Sequence, residues 1–154
     1  MLDRQPQKGE TMADKLIITA ALAGGATTKN NNPNTPYTPE EFAEEAYRCF
    51  QEGVSVVHIH AKDPETGMAT MDVQAHRDVI GAVRERCPQM IINISTGAMQ
   101  TPAEDRIAPT LDLKPELASY NTNSMNFAVA NHKTGEVLIE FIYDNTFAMM
   151  EDLR

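Results

Sequence analysis

Apolar residues in this chain fall into two patterns that take turns. The block LIITAAL, Leu16 to Leu22, is short, continuous and β-rich, and it runs into the small residues Ala23, Gly24 and Gly25. Such a block predicts a buried strand opening into a loop. The loop continues through TTKNNNPNTPY, where asparagine and proline favour turns over regular structure, and its length marks it as a candidate for function. At Thr38 the period changes to that of a helix. Thr38 can cap, Pro39 suits the first helical position, and Glu41 completes a capping box ahead of Phe42, Ala46, Tyr47 and Phe50. A helix from about Pro39 to Glu52 follows, with Gly53 at its C-terminus.

VSVVHIHA supplies a second strand, rich in β-branched residues. The turn KDPETG leads through Asp72, a suitable cap, into a second helix over Val73 to Arg86 with Val79, Ile80 and Val83 as its apolar positions; Pro88 ends it. MIINI then predicts a third strand, stopping at Ser95, Thr96 and Gly97. Strands that alternate with helices at this spacing pair in parallel, because each crossover has room for one helix. LKPELASYN offers a weaker fourth strand around Leu117 to Tyr120. KTGE between Phe127–Ala130 and Val137–Ile142 predicts a hairpin, and DNTFAMMEDLR begins a helix capped by Asp144 or Asn145. The chain stops about three turns later without a helix-ending signal, as a truncation would.

Composition narrows the function classes. The 154 residues are 42% hydrophobic, enough for one core and one domain, taken here as residues 15–154. With 22 acidic against 13 basic residues the formal charge is -9, which sets aside nucleic-acid and anionic-membrane roles through long-range repulsion. Cys49 and Cys87 are too few for a disulfide framework, read as unpaired packing thiols, and suit a reducing cytoplasmic location. Residues 1–14 are polar, lack the apolar stretch of a signal or anchor, and are expected to form a disordered tail; Met12 could equally be the start.

His58-Ile59-His60 is the sharpest chemical feature. Residues two apart on a strand share a face, so both imidazoles can converge on one divalent ion at the strand's C-terminal end. The bland alternative is a hydrogen-bonded polar pair. Two histidines are too few for a catalytic zinc, and Asp63, Glu65, His76 and His132 are third ligands only in principle, since each reads as a solvated surface residue. Ser95-Thr96-Gly97 can present hydroxyls and backbone amides to a carboxylate, or simply make a turn. Ser119, Tyr120 and Asn121, followed by Asn123 and Asn126, close the fourth strand, where an asparagine can orient a substrate. Ala20, Ala21 and Gly24 leave room for a ligand at the first strand's end.

Taken in order, IITAALAGGATT, NTPYTPEEFAEEA, GVSVVHIHAKDPETG, MIINISTG and LASYNTNSMNF resemble the β-keto acid cleavage enzymes over about Lys15 to Phe127. The resemblance implies the N-terminal half of a (β/α)8 barrel and a zinc-dependent exchange, in which a β-keto acid and acetyl-CoA yield acetoacetate and a new CoA thioester. On that resemblance His58 and His60 match the metal-binding histidines, Ser95, Thr96 and Gly97 match the loop holding the substrate carboxylate, and Asn121 faces the same pocket. The remaining metal ligand, an arginine and the acidic catalytic groups would lie beyond Arg154. Ala26 stands where the aminohexanoate-cleaving members carry an acidic residue, so recognition of an amino group is not expected to transfer.

A complete barrel takes roughly 250 residues. Half of one leaves the first and fourth strands as open edges, so homo-oligomerisation or completion by a second half-barrel chain is expected. Two competing readings follow. One is an inactive or partner-dependent fragment; the other is a different metal-dependent barrel enzyme, such as an aldolase or hydrolase.

Overall fold

The structure, a computed structural model, describes residues 16–154. The expected tail at residues 1–14 lies outside the described residues. The element order is β1 (Thr19–Ala21), α1 (Pro39–Gln51), β2 (Val56–Ile59), α2 (Val73–Arg86), β3 (Ile91–Ile94), α3 (Ala103–Leu113), β4 (Leu117–Ala118), β5 (Met125–Ala130), β6 (Val137–Tyr143) and α4 (Phe147–Asp152). Strands β1 to β4 form one parallel sheet in sequential order, with Ala21, His58 and Asn93 side by side across it. Four parallel strands in chain order, joined by helices, are successive units of a (β/α)8 barrel.

The first half follows the sequence closely. The capping box at Thr38 and Glu41 is present, Asp72 caps α2 through Ala75 N, and Gly53 adopts a φ of +91° beyond α1. Val57, Ile59, Ile92 and Ile94 are buried in one cluster with Phe42 and Ala46 of α1 and Val79, Ile80 and Val83 of α2. Because strand side chains alternate, that burial sends His58 and Asn93 to the opposite face of the sheet, the barrel interior. The first strand is shorter than its apolar block: Leu16 and Ile17 are exposed and unpaired in the ladder.

Two features depart from the sequence pattern. Helix α3 has no counterpart in it: Pro102 gives no side-chain cap and Pro109 sits inside the helix, so the usual signals are missing. It is held instead by the buried side of Ala103, Arg106 and Pro109. Helix α4 starts one residue later than expected, with Thr146 capping through Met149 N, because Asn145 is buried in other hydrogen bonds. The hairpin is real. β5 and β6 pair antiparallel, separate from the parallel sheet, with Phe127 against Phe141 at 5.1 Å.

Candidate metal and substrate site

β2 ends at Ile59, and His58 and His60 stand at its C-terminal end on the interior face. Their rings lie edge to face with centroids 5.1 Å apart. At that separation one nitrogen of each ring can reach a single ion at about 2 Å. His58 Nδ1 sits 3.0 Å from Asn93 Oδ1 on the neighbouring strand. A carbonyl oxygen only accepts, so Nδ1 is the donor and Nε2 is the nitrogen left to face a ligand.

His60 is kept neutral by its surroundings. Burial, then the nearby His58, Lys62 and His76, lower its pKa to about 4. The His60 ring is therefore in the form that can ligate at neutral pH. Among the described residues no group of three or more His, Cys, Asp and Glu side chains is placed to hold a metal. Asp63 is spent on its turn, accepting from Glu65 N, Thr66 N and Thr66 Oγ1, while Glu65 and His132 are exposed. His76 corrects the expectation: it is fully buried, its Nδ1 donates to Asp72 O at 2.9 Å, and its Nε2 has no partner among the described residues. The helical phase of α2 turns it into the core beside Val79 and Ile80.

Around the pair, the strand ends meet. Ser95 N donates to Ile59 O, which sets the Ser95-Thr96-Gly97 loop beside His60. Ser95 and Thr96 are buried. Thr96 N donates to Ser119 Oγ at 3.0 Å and Thr96 Oγ1 to Ser119 O at 2.8 Å, so the loop is tied to the end of β4. Asn121 also reaches this point: its Nδ2 lies 3.7 Å from where a Cβ on Gly97 would stand. The structure thus brings His58 and His60 together, and separately brings Gly97, Ser95 and Asn121 together, at one end of the sheet. Tyr120 does not join them; its hydroxyl donates to Met150 O in α4.

Four further residues shape the site that the sequence reading passed over. Asn93 was legible in principle, as the one polar residue inside an apolar strand block. Lys62 is only 2% exposed and donates to Gly25 O at 3.3 Å and Thr27 O at 3.0 Å, pinning the first loop, while its burial pulls its pKa down. Arg106, 1% exposed, donates from Nε to Thr96 O and from Nη2 to Asn145 Oδ1, each at 2.8 Å. Among the described residues neither cation has a carboxylate within 4.0 Å. Tyr143 arrives from the hairpin. No local signal announces these last three, since their partners are distant in sequence.

Comparison with known proteins places this arrangement. Residues 15–154 match the family described as beta-keto acid cleavage enzyme. A 3-keto-5-aminohexanoate cleavage enzyme of Fusobacterium nucleatum subsp. nucleatum is 43% identical over 117 residues, which are 75% of this chain and 42% of that protein. A 3,5-dioxohexanoate:acetyl-CoA acetone transferase of Paraburkholderia graminis is 32% identical over 152 residues, 89% of this chain and 48% of that protein. The chain thus spans less than half the length of these relatives. The solved structure of a binary complex of ObcA with oxaloacetate superposes with a TM-score of 0.57 at 24% identity, over 77% of this chain and 28% of that one. With its parallel sheet and its match across nearly all of the described residues, the chain belongs to the β-keto acid cleavage enzyme family.

Proposed function

We propose that the protein containing this chain exchanges a β-keto acid with acetyl-CoA, giving acetoacetate and the CoA thioester of the remaining acyl group. The bond between C2 and C3 of the keto acid breaks; its acyl part passes to CoA, and its carboxymethyl part joins the acetyl group. The observation that carries this reading is a pair of imidazoles converging at a strand end, one of them oriented by Asn93, beside a loop of hydroxyls and amides. Relatives support the substrate classes. The Paraburkholderia protein is named for an acetyl-CoA transfer, and ObcA has been solved with oxaloacetate, itself a β-keto acid, and with a CoA adduct.

His58 and His60 fit a divalent zinc ion and would hold it; when bound, it would supply Lewis-acid polarisation of the keto group. Asn93 keeps His58 in the ligating tautomer. The Ser95, Thr96 and Gly97 loop would hold the substrate carboxylate through the Ser95 hydroxyl, with Thr96 fixed to Ser119 and Gly97 leaving the space, and Asn121 would orient it from β4. The buried Arg106 and Lys62, without carboxylate partners among the described residues, raise the local potential and favour anionic substrates despite the chain's net charge of -9.

A second reading, assembly with a complementary barrel half or with other copies, is favoured by apolar side chains that stay open to solvent on the sheet: Ile91 and Leu117 are 37% and 45% exposed. Elemental analysis for zinc, together with acetoacetate formation from acetyl-CoA and a panel of β-keto acids, tests the primary reading. Bound zinc with acetyl-CoA-dependent acetoacetate is expected. Association without zinc or turnover would favour the assembly reading, and turnover indifferent to acetyl-CoA would point to an aldolase or hydrolase.

A further inference from the structure

Tyr143 is the last residue of β6, where the chain returns from the hairpin to the mouth of the sheet. Most of the hairpin is exposed, but Tyr143 is half-buried. Its hydroxyl lies 2.7 Å from the point that a Cβ on Gly97 would occupy, with Ser95 Oγ 3.4 Å and Asn121 Nδ2 3.7 Å from the same point. Groups from three strand ends therefore face one another around a residue with no side chain. Asn121 Nδ2 donates to the Tyr143 oxygen at 3.2 Å, which leaves the hydroxyl proton without an acceptor among the described residues. That proton is free to meet an acceptor on a ligand.

The surroundings say which acceptor would. Ser95 and Asn121 beside the hydroxyl are neutral, and behind the loop Arg106 holds Thr96 O on one side and Asp144 O and Asn145 Oδ1, just past Tyr143, on the other. A single buried guanidinium thus fixes the loop and the tyrosine in one frame and places a positive charge near both. An anion fits this pocket better than a neutral carbonyl. We propose that Tyr143 is a further substrate-contacting residue, its hydroxyl donating to the carboxylate of the β-keto acid held by the Ser95 to Gly97 loop. This inference rests on the exchange reading above.

The test is a titration of acetoacetate into the zinc-loaded protein with its four tyrosines carrying 13C at the ring ζ carbon. Tyr143→Phe identifies the Tyr143 resonance; Tyr37→Phe, Tyr47→Phe and Tyr120→Phe identify it by elimination if that variant does not fold. The Tyr143 signal should shift with saturation, and Tyr143→Phe should weaken acetoacetate binding about 3- to 10-fold, the range of one lost hydrogen bond, while acetyl-CoA binding stays unchanged. Saturable binding with a stationary Tyr143 signal overturns the contact and leaves the exchange reading standing. No acetoacetate binding by the wild-type protein overturns the exchange reading and the contact with it.

Discussion

Asn93 Oδ1 accepts from His58 Nδ1 at 3.0 Å, across a register in which the two residues are direct partners on neighbouring parallel strands. The contact fixes which imidazole nitrogen is free. Replacing Asn93 by Leu keeps a side chain of similar size but removes the acceptor. Zinc affinity should fall about 10- to 100-fold, the usual cost of losing an outer-shell partner, as read by competition with a chelator. Unchanged affinity would show that the pair does not orient a ligand.

Beside Tyr143, Gly97 leaves no room for a side chain. A Cβ at Gly97 would stand 2.7 Å from the Tyr143 hydroxyl, so Gly97→Ala should lower stability by about 1–2 kcal/mol in urea unfolding. Adding Tyr143→Phe removes the offending oxygen and should recover part of that loss. A double-mutant cycle with no coupling would mean that the two residues do not meet.

Gly67 presents a harder case of the same kind. Its φ is +70°, and a Cβ there would fall 2.1 Å from the Tyr37 ring. Gly67→Ala should cost about 3 kcal/mol, because left-handed backbone strain adds to overpacking against Tyr37, whose hydroxyl accepts from Lys29 N. A shift in the urea midpoint smaller than that of Gly97→Ala would contradict this ranking.

Arg106 ties loops that are far apart in sequence. Arg106→Met removes the charge at similar length and leaves Thr96 O and Asn145 Oδ1 without their donor, so a loss of about 3 kcal/mol is expected in urea unfolding. A stable variant with an unaltered loop would show that the guanidinium is dispensable.

His76 makes stability depend on pH. Burial lowers its pKa from the ordinary 6.5, so the folded chain stays unprotonated where the unfolded chain takes up a proton. Stability should therefore be full above about pH 6.5 and fall as the pH drops below it, with His60 acting in the same sense down to about 4. In metal-free protein, His76→Leu should flatten the part of this slope just below pH 6.5. An identical slope would remove His76 from the account.

Local chemistry decided the first three strands and the first two helices. Capping boxes, β-branched runs and a period of two or 3.6 are set by neighbours in the chain, so Thr38, Asp72 and the His58-Ile59-His60 spacing could be read directly. The same spacing placed both imidazoles at one strand end. Helix α3 could not be read this way, since it has no cap and contains Pro109; packing of Arg106 and Ala103 forms it. The burial of His76 follows the phase of Val79 and Ile80 and was open to reading, but the roles of Lys62, Arg106 and Tyr143 were not. Their partners lie 35 residues away for Lys62 and Thr27, 39 for Arg106 and Asn145, and 22 for Asn121 and Tyr143. Periodicity reports which face a side chain takes, whereas the identity of its partner is set when crossovers and the hairpin fold the chain back. The sequence therefore determined the sheet, the histidine pair and the loop beside it; only the tertiary structure supplied the pairing of Asn93 with His58, and the cations and the tyrosine around them.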